Sequence, residues 1–352
     1  MGDQPATYEA SGVSIAAQDE AIAALRPAVE ASQAAARFGR VLAGVGSFAA
    51  AFAPRLDGMT EPVLVSSADS LGSKGMLHAR FGSFESGGRD LVAAVVNDVI
   101  CCGASPAFFL DTIGTYKVEP AQIGAMVSGM AAACQEIGCA LVGGEIAEMR
   151  DTYKTGESEV MGFCVGLVER KRMLGPQHVQ QGDAVVALAS SGVHTNGYTL
   201  VRKVLGDLSD DDWQRHDGEL GTSLREALLM PTLCYANAMA AVQAQFKLHA
   251  AAHISGGGLV DNVPRVLPAG LSVQLERQAI AVPPVFAIIQ RRGQIEDAEM
   301  WHVFNMGVGF VMLAPAAEAQ HIVSCLKNNS FTASVIGNVV TDPQGPRVIW
   351  SN

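Results

Sequence analysis

Four acidic residues are candidate functional residues because of the segments in which they lie. Each is in or directly after an apolar segment, a polar turn or a pair of glycines. They are Asp69, Asp98, Asp111 and Glu145. Carboxylates brought together from separate segments are ligands that Mg²⁺ prefers, and Mg²⁺ commonly bridges a protein to the phosphates of a nucleotide. The set therefore predicts a site for magnesium and a nucleotide.

Asp69 and Lys74 share the polar segment 66–74, which follows the strand-like run 62–65. A carboxylate, a glycine and a lysine in this order can hold a metal ion and a phosphate together, so Lys74 is predicted to contact phosphates. The alternative is an Asx turn followed by a solvated lysine. The segment is not a P-loop, because the spacing Gly-x-x-x-x-Gly-Lys is absent.

Asp98 follows Asn97 in the middle of the apolar helical segment 89–102. A carboxylate that is buried without a partner is costly, so we expect both side chains to be hydrogen-bonded or to bind a ligand. Two further residues, Gly143 and Gly144, directly precede the last of the four acids. Glycines at this position let the backbone approach a nucleotide closely.

Two polar loops in the second half each lie between a predicted strand and a predicted helix. The loop 190–198 carries His194 and Asn196, and the loop 255–258 contains three glycines. Small hydrogen-bonding residues before a helix can bind an anion, and a histidine can carry a proton. The alternatives are a histidine that caps the helix and glycines that only turn the chain.

Hydrophobic spacing predicts helices and strands in an α+β order around these residues. In the first half, helices are predicted over 20–38, 89–102 and 120–137, and strands over 63–65, 107–110, 140–142 and 160–168, with Asp111 at a strand end. In the second half, a helix is predicted from about 196, and strands over 184–190, 249–254, 271–276, 307–313 and 333–340. The polar stretch 171–182 predicts a boundary between domains 1–172 and 173–352.

The composition excludes several classes of protein. Of 352 residues 49% are hydrophobic and 17% charged, and the formal net charge is −11 without the basic stripe of a nucleic-acid binder. The apolar stretches are too short to span a membrane, the N-terminus does not resemble a signal peptide, and the seven cysteines form no Cys-x-x-Cys pair. We therefore expect a cytoplasmic protein with reduced thiols and a small-molecule substrate, not a nucleic acid or a membrane.

Longer motifs run through nearly the whole chain in a fixed order. They lie at 8–15, 97–111, 143–149, 162–166, 194–203, 256–268 and 304–309. Together they resemble the motifs of the phosphoribosylformylglycinamidine cyclo-ligase (AIR synthetase) family. The second-half motifs, which include His194-x-Asn196-Gly197-Tyr198, are quite specific to this cyclo-ligase among proteins of similar fold.

Three first-half segments depart from the family pattern. Residues 68–74 replace the usual Thr-Asp-Gly-Val-Gly-Thr-Lys, and residues 149–153 replace the usual Met-Pro-Gly-x-Tyr. Residues 43–49 correspond to a glycine-rich loop of the family and have lost three of its glycines. A glycine with positive φ cannot become Ala or Ser without strain, so these departures predict loops that have moved. They also leave open a divergent member with a changed substrate or reduced activity.

The resemblance implies an α/β (α+β) fold of two domains, of AIR-synthetase type. The N-terminal domain would bind ATP and pair with its twin in a homodimer, next to a C-terminal α/β domain. The implied reaction is the ATP-dependent cyclisation of formylglycinamidine ribonucleotide, a phosphorylated ribonucleotide, to aminoimidazole ribonucleotide in purine biosynthesis.

The resemblance also distributes roles over the candidate residues, with ATP and Mg²⁺ as the implied cofactors. The implied metal ligands are Asp69, Asp98, Asp111 and Glu145; the nucleotide site adds Lys74, Gly143 and Gly144; and catalysis involves Lys74, His194 and Asn196.

Two other functions are consistent with the same residues. One is a different ATP-using synthetase of this fold that acts on another small substrate, and the other is a non-catalytic homologue that binds a nucleotide. The presence of all four acids argues against the second, because an inactive site has no reason to keep costly carboxylates in apolar segments.

Overall fold

The computed structural model of the protein describes residues 14–351, so the part of the first motif at 8–13 lies outside the described residues. By its internal contacts the chain divides into two compact units. The first unit comprises the described residues up to 58, together with 66–95 and 106–166. The second unit comprises 59–65, 96–105 and the chain from 167 onward, so it includes two short upstream segments. The boundary at residue 172 stays a prediction.

The described elements up to residue 169 are four helices and six strands. In chain order they are α1 (Ile15–Ala34), β1 (Gly39–Ala43), β2 (Ala51–Pro54), β3 (Pro62–Ser70), α2 (Lys74–Phe81), α3 (Phe84–Cys101), β4 (Ser105–Thr115), α4 (Pro120–Ile137), β5 (Ala140–Glu148) and β6 (Ser158–Glu169). The helix predicted over 120–137 is confirmed, with a proline in its first turn and Gly138 in the left-handed conformation, at φ 69°, after its end.

Helices α3 and α4 pack closely because glycines remove side chains at their contact. A Cβ on Gly88 would lie 2.0 Å from the carbonyl oxygen of Met126, and a Cβ on Gly129 would lie 2.0 Å from that of Glu85. No side chain fits at either position, so the two backbones meet directly. Helix α3 is accordingly buried along most of its length, as its apolar sequence predicts.

The first sheet has the strand order β3-β6-β4-β5. Strands β4 and β5 are parallel and bring Asp111 opposite Gly144 and Thr112 opposite Glu145. Three predictions about these strands are wrong, because each strand continues well past its apolar core. Asp111 lies inside β4 rather than at its end, Asp69 lies inside β3 rather than in a turn, and the strand predicted over 140–142 continues as β5 through Glu145.

The elements after residue 183 form the second unit's sheet and its helices. In chain order they are β7 (Ala184–Ala189), α5 (Tyr198–Val204), α6 (Asp210–Gln214), β8 (His216–Asp217), β9 (Thr222–Ser223), α7 (Leu224–Leu229), α8 (Ala236–Gln243), β10 (Ala250–His253), α9 (Gly258–Asn262), β11 (Leu271–Glu276), α10 (Pro284–Gly293), α11 (Asp297–Val303), β12 (Val308–Ala314), α12 (Ala319–Asn328), β13 (Ala333–Thr341) and β14 (Val348–Ser351).

The second sheet has the order β10-β12-β7-β13-β11-β14. Its neighbours are antiparallel except for β11 and β14, which are parallel. Strands β7 and β12 are buried over nearly their whole length, which requires cover on both faces of the sheet. The five strands predicted in this half are confirmed, whereas β14, a short and partly exposed edge strand, was not predicted.

No helix in the described part of the chain is long and apolar enough to cross a lipid bilayer.

Candidate functional site

A cleft of about 540 Å³ opens in the first unit and is bounded by α1, the segment 44–50 and the adjoining parts of β4 and β5. We call 44–50 the cleft loop. Of the residues predicted to bind a nucleotide or metal, Asp111, Gly143, Gly144 and Glu145 line this cleft. The parallel pairing of β4 with β5 brings them together, since it sets Asp111 beside Gly144.

The Asp111 carboxylate is accommodated because residue 144 has no side chain. A Cβ on Gly144 would lie 2.5 Å from Asp111 Oδ1, so any other residue would displace the carboxylate. Asp111 is 7% exposed, and burial raises its pKa to about 7. Glu145, by contrast, is exposed and accepts a hydrogen bond from the Ile146 amide at 2.9 Å. The cleft therefore has one acid that burial drives toward the neutral form and one exposed acid at its edge.

That the loop with the three lost glycines has moved stays a prediction, and its backbone needs no glycine at the replaced positions. Ala43, Ser47 and Ala49 are not among the described residues with positive φ, so alanine and serine fit their backbone without strain. The glycine that does need a left-handed backbone, Gly46 at φ 99°, is present.

Asp69 and Lys74 have very different surroundings. Asp69 is exposed, and its Oδ1 accepts a hydrogen bond from the Ser70 amide at 2.7 Å. Lys74 is fully buried, and its Nζ lies 2.9 Å from Oδ1 of Asp90, whose Oδ2 is 2.7 Å from His78 Nε2. Desolvation lowers the pKa of Lys74 even though the Asp90 charge opposes it. The lysine expected to meet phosphates thus lies inside the first unit, bonded to a carboxylate.

Across residues 14–351, no three or more His, Cys, Asp or Glu side chains come together as a site for a metal ion. The four candidate acids therefore do not form a closed carboxylate cage. Mg²⁺ commonly takes only one or two carboxylates and completes its octahedron with water and substrate phosphates. Asp111, which lies opposite Gly144, and Glu145, at the edge of the same cleft, fit that mode of binding.

The two polar loops of the second unit come together. A Cβ on Gly256 would lie 3.2 Å from Asn196 Oδ1, so the glycine loop 255–258 approaches the loop 190–198 at this point. The glycine loop is held by Asn262, whose Nδ2 donates to the carbonyls of Gly256 at 3.0 Å and Gly258 at 2.8 Å.

His194 lies within the loop 190–198 and is only 3% exposed. Its φ of 65° is left-handed, which is unusual for a residue other than glycine. The Ser191 amide donates a hydrogen bond to its Nε2 at 3.2 Å. The imidazole therefore contacts the backbone of its own loop.

Asp98 was predicted to be buried, but its side chain is 43% exposed. Its Oδ1 lies 2.9 Å from His253 Nδ1. Its neighbour Asn97 is fully buried, accepts from the Tyr235 amide and donates to the Leu233 carbonyl, each at 2.9 Å. The two polar residues of α3 are therefore both hydrogen-bonded. One fixes a loop of the second unit, and the other carries a half-exposed charge.

Three polar residues near these loops were not predicted as site residues: His253, Asn262 and Asn305. His253 is the last residue of the buried strand β10, just before the glycine loop. A titratable residue at the end of an apolar strand that leads into three glycines is a signal visible in the sequence. The partners of Asn262 and Asn305 are carbonyls that only the folded loops bring together.

Comparison with solved structures defines the fold. A thiamine-monophosphate kinase from Stenotrophomonas maltophilia K279a superimposes with a TM-score of 0.70 at 20% identity, over 93% of this chain and 96% of that one. The hydrogenase maturation protein HypE from E. coli gives a TM-score of 0.60 at 15% identity, over 93% and 94% of the two chains. These likenesses place the chain among proteins of AIR-synthase-like fold.

Comparison of sequences identifies the family. Family models described as AIR synthase related protein, N-terminal domain and C-terminal domain match residues 47–168 and 180–350. The phosphoribosylformylglycinamidine cyclo-ligase of Gloeobacter violaceus is 42% identical over 95% of this chain and 97% of its own length. That of Pseudothermotoga lettingae is 41% identical over 96% and 98%. The chain belongs to the phosphoribosylformylglycinamidine cyclo-ligase (AIR synthetase) family.

Proposed function

We propose that the protein catalyses the ATP-dependent ring closure of formylglycinamidine ribonucleotide to aminoimidazole ribonucleotide, ADP and phosphate, in cytoplasmic purine biosynthesis. The observation that carries this proposal is the near full-length similarity to cyclo-ligases at about 40% identity, together with the family's polar loops in place in the second unit. Solved structures of similar fold include HypE in complex with ATP and a thiamine-monophosphate kinase complexed with AMPPCP, which supports the use of ATP here.

The reaction requires an amide oxygen, which is a poor leaving group, to depart. ATP supplies a phosphoryl group to the formyl oxygen; the amidine nitrogen then attacks the same carbon, the ring closes, and the oxygen leaves as phosphate. Little of this chemistry needs a covalent contribution from the protein. Its residues must hold the reactants in line and balance the phosphate charge.

We assign the nucleotide to the first unit. Asp111 and Glu145 would hold Mg²⁺ on the phosphates, and Gly143 and Gly144 offer backbone that a nucleotide can approach closely. Asp69 is proposed as a further magnesium ligand because it is exposed and charged. A direct contact between Lys74 and phosphate would require its ion pair with Asp90 to open.

We assign the ribonucleotide to the loops of the second unit. The loop 190–198, with His194 and Asn196, is the proposed substrate-binding loop. Asp98 remains a proposed magnesium ligand, since its carboxylate is 43% exposed. His253 is held by Asp98 in a fixed orientation, which suits a residue that hydrogen-bonds a reacting group.

We propose that the protein is a homodimer that pairs through the first sheet. Strand β6 exposes Met161 and Phe163 at 39% and 40%, and β3 exposes Leu64 at 68%. Apolar side chains exposed along sheet strands are typical of a surface that a second copy covers. Light scattering should give twice the chain mass of 36.8 kDa; a stable monomer would contradict the proposal.

The test of the function is a coupled product assay. Purified protein is mixed with ATP, Mg²⁺ and formylglycinamidine ribonucleotide, and ADP and aminoimidazole ribonucleotide are both quantified. We expect the two products in a 1:1 ratio. Parallel reactions with related amides and with thiamine monophosphate test the alternative of another substrate of this fold. ADP released only with one of those compounds would overturn the proposal.

A further inference from the structure

The buried side chain of Asn305 holds the loop 190–198 through hydrogen bonds to the loop's backbone. Asn305 is 3% exposed, and its Nδ2 donates hydrogen bonds to the carbonyls of Gly192 at 2.9 Å and Val193 at 3.2 Å. Its Oδ1 accepts from the Gly307 amide at 2.8 Å. An amide that donates to two carbonyls and accepts from an N–H can satisfy all three only in this orientation.

The turn that carries Asn305 is itself rigid. Met306 and Gly307 both have left-handed backbones, with φ 47° and 95°, and a Cβ on Gly307 would lie 2.5 Å from the Ala281 carbonyl oxygen. The Ser190 amide donates to the Gly307 carbonyl at 2.9 Å. The Ser190 hydroxyl lies 3.0 Å from Asn305 Oδ1. The start of the loop is therefore tied to the same turn by backbone and side chain.

The hydrogen bond of His194 closes the loop on itself and fixes the position of the ring proton. The Ser191 amide is a donor, so the Nε2 that accepts from it carries no proton. The neutral imidazole must then hold its proton on Nδ1. The His194 ring is 3% exposed, and its Nε2 is hydrogen-bonded to the backbone of the loop that carries it. The ring therefore stabilises the conformation of that loop.

We propose that Asn305 and His194 are positioning residues that together form a loop clamp, which presets the conformation of residues 190–198 and so places Asn196 against the substrate. This inference rests on the proposed function, because it assigns the loop to the ribonucleotide. It gives His194 a role other than proton transfer. The clamp acts through the carbonyls of Gly192 and Val193 and the amide of Ser191, and the hydrogen bond from that amide requires a neutral His194 imidazole.

The kinetic test compares variants that break the clamp with variants that keep it. Asn305→Asp replaces the donor Nδ2 by an oxygen that repels the two carbonyls, and His194→Ala removes the acceptor for Ser191. For each, we expect kcat/KM for formylglycinamidine ribonucleotide to fall about 30-fold or more, with the KM for ATP within about 3-fold of the parent. His194→Gln keeps an acceptor near the Nε2 position and should retain activity within about 5-fold of the parent.

The matched control is Asn329→Asp, an exposed asparagine of the second unit whose Nδ2 donates to a single carbonyl, that of Cys325, at 2.9 Å. Its kinetics should match those of the parent. Ser190→Ala provides a milder change should Asn305→Asp fold poorly, because it removes only the hydroxyl and leaves the amide of Asn305 in place. Activity of His194→Gln as low as that of His194→Ala, with a lost limb of the pH profile, would show proton transfer and overturn the proposal.

A spectroscopic test needs no substrate. In protein labelled with ¹⁵N at histidine, the ring signals of His194, assigned by their absence in His194→Gln, should show a protonated Nδ1 and an unprotonated Nε2 at high pH. In Asn305→Asp the signals should shift toward a mixture of tautomers. A parent protein with the proton on Nε2 would overturn the clamp. If the parent does not convert the ribonucleotide but shows the expected tautomer, the proposed function fails while the clamp stands.

Discussion

The residues of the two candidate sites are held in different ways. In the first unit, Lys74 and Asp90 are fully buried and Asp111 nearly so. In the second unit, the loops of the candidate site are held by the neutral amides of Asn262 and Asn305. The charged residue there, Asp98, keeps 43% of its side chain exposed.

This difference shows where a charge is available for chemistry. A charge that loses its water on folding must be neutralised or paired, so its first role is in the structure. Neutral amides hold loops at a smaller desolvation cost, and they satisfy donors and acceptors at once. A half-exposed carboxylate such as that of Asp98 can still receive a cation or a substrate. Carboxylates thus differ in role according to their burial: the paired Asp90 serves stability first, and Asp98 is available for the proposed reaction.

The largest effect that follows from this contrast is on the stability of Lys74→Met. Removal of the ammonium leaves Asp90 buried with His78 but without its main counter-charge, and breaking a buried pair in this way costs about 3–5 kcal/mol. The measurement is urea unfolding. Lys117→Met is the control, because Lys117 Nζ lies 2.8 Å from Glu119, as Lys74 Nζ lies 2.8 Å from Asp90 Oδ2, but in an exposed position, and such pairs contribute about 0–1 kcal/mol.

The activity of Lys74→Met, measured under conditions where the variant is folded, separates two roles. Near-parental turnover per folded molecule would mean that Lys74 serves structure alone. A large loss of turnover in folded protein would support the predicted contact with phosphates.

Asp98→Asn should show the opposite pattern. The half-exposed carboxylate contributes little to stability, so the thermal midpoint should change by only a few degrees, whereas turnover of ATP with the ribonucleotide should fall about 100-fold or more. The control is Asp261→Asn, since Asp261 pairs with His302 at the same 2.9 Å but both side chains are more than half exposed. Parental turnover in Asp98→Asn would remove Asp98 from the proposed site.

Much of the fold could be predicted from the sequence because apolar periodicity marks the buried parts of each element. The strand 271–276 and the helix 120–137 agree with the structure to the residue. The wrong predictions concern the ends of strands that extend beyond the core. Strands β3 and β5 continue through polar and glycine residues, which apolar alternation alone predicts to be turns. Their pairing with neighbouring strands, which is a tertiary interaction, decides the conformation there.

The residue types of the candidate site could be predicted from the sequence, but the burial and the hydrogen-bond partners of these residues could be predicted less well. Asp111, Gly143 and Gly144 do meet, because parallel pairing of β4 and β5 aligns them. The burial of Lys74 and the exposure of Asp98 were not predictable, since each depends on tertiary packing that apolar spacing does not show. The polar contacts of Asn305 join carbonyls more than 100 residues away, so no local pattern could indicate them.

Asp111 provides a smaller effect with a defined pH dependence. Its pKa rises from an ordinary value near 4 to about 7, so the folded protein holds this proton more tightly than the unfolded chain does. The parent should therefore lose stability as pH rises from about 4 to about 7. Asp111→Asn, which cannot ionise, should be more stable than the parent at pH 8, by about 1–3 kcal/mol, and similar to it near pH 4.

Urea unfolding of the ligand-free protein at both pH values measures this difference. Glu145→Gln, an exposed acid of the same cleft, is the control and should change stability by less than about 0.5 kcal/mol at either pH. A constant difference between Asp111→Asn and the parent across the range would contradict the predicted effect of burial.

The smallest effect concerns the cleft loop, where the family's glycines are replaced. Because Ser47 and Ala49 do not have positive φ, glycine there relieves no strain and only adds freedom to the unfolded chain, at about 0.5–1 kcal/mol for each residue. A loop that must be ordered when the cleft closes binds less tightly once it is more flexible, so Ser47→Gly with Ala49→Gly should raise the KM of ATP or the ribonucleotide a few fold. Ala43→Gly, in strand β1, should lower stability by a similar amount per residue without changing either KM. If Ser47→Gly with Ala49→Gly lowers stability but changes neither KM, as expected for Ala43→Gly, the cleft loop does not contact a substrate. The first unit's binding surface is then confined to β4 and β5.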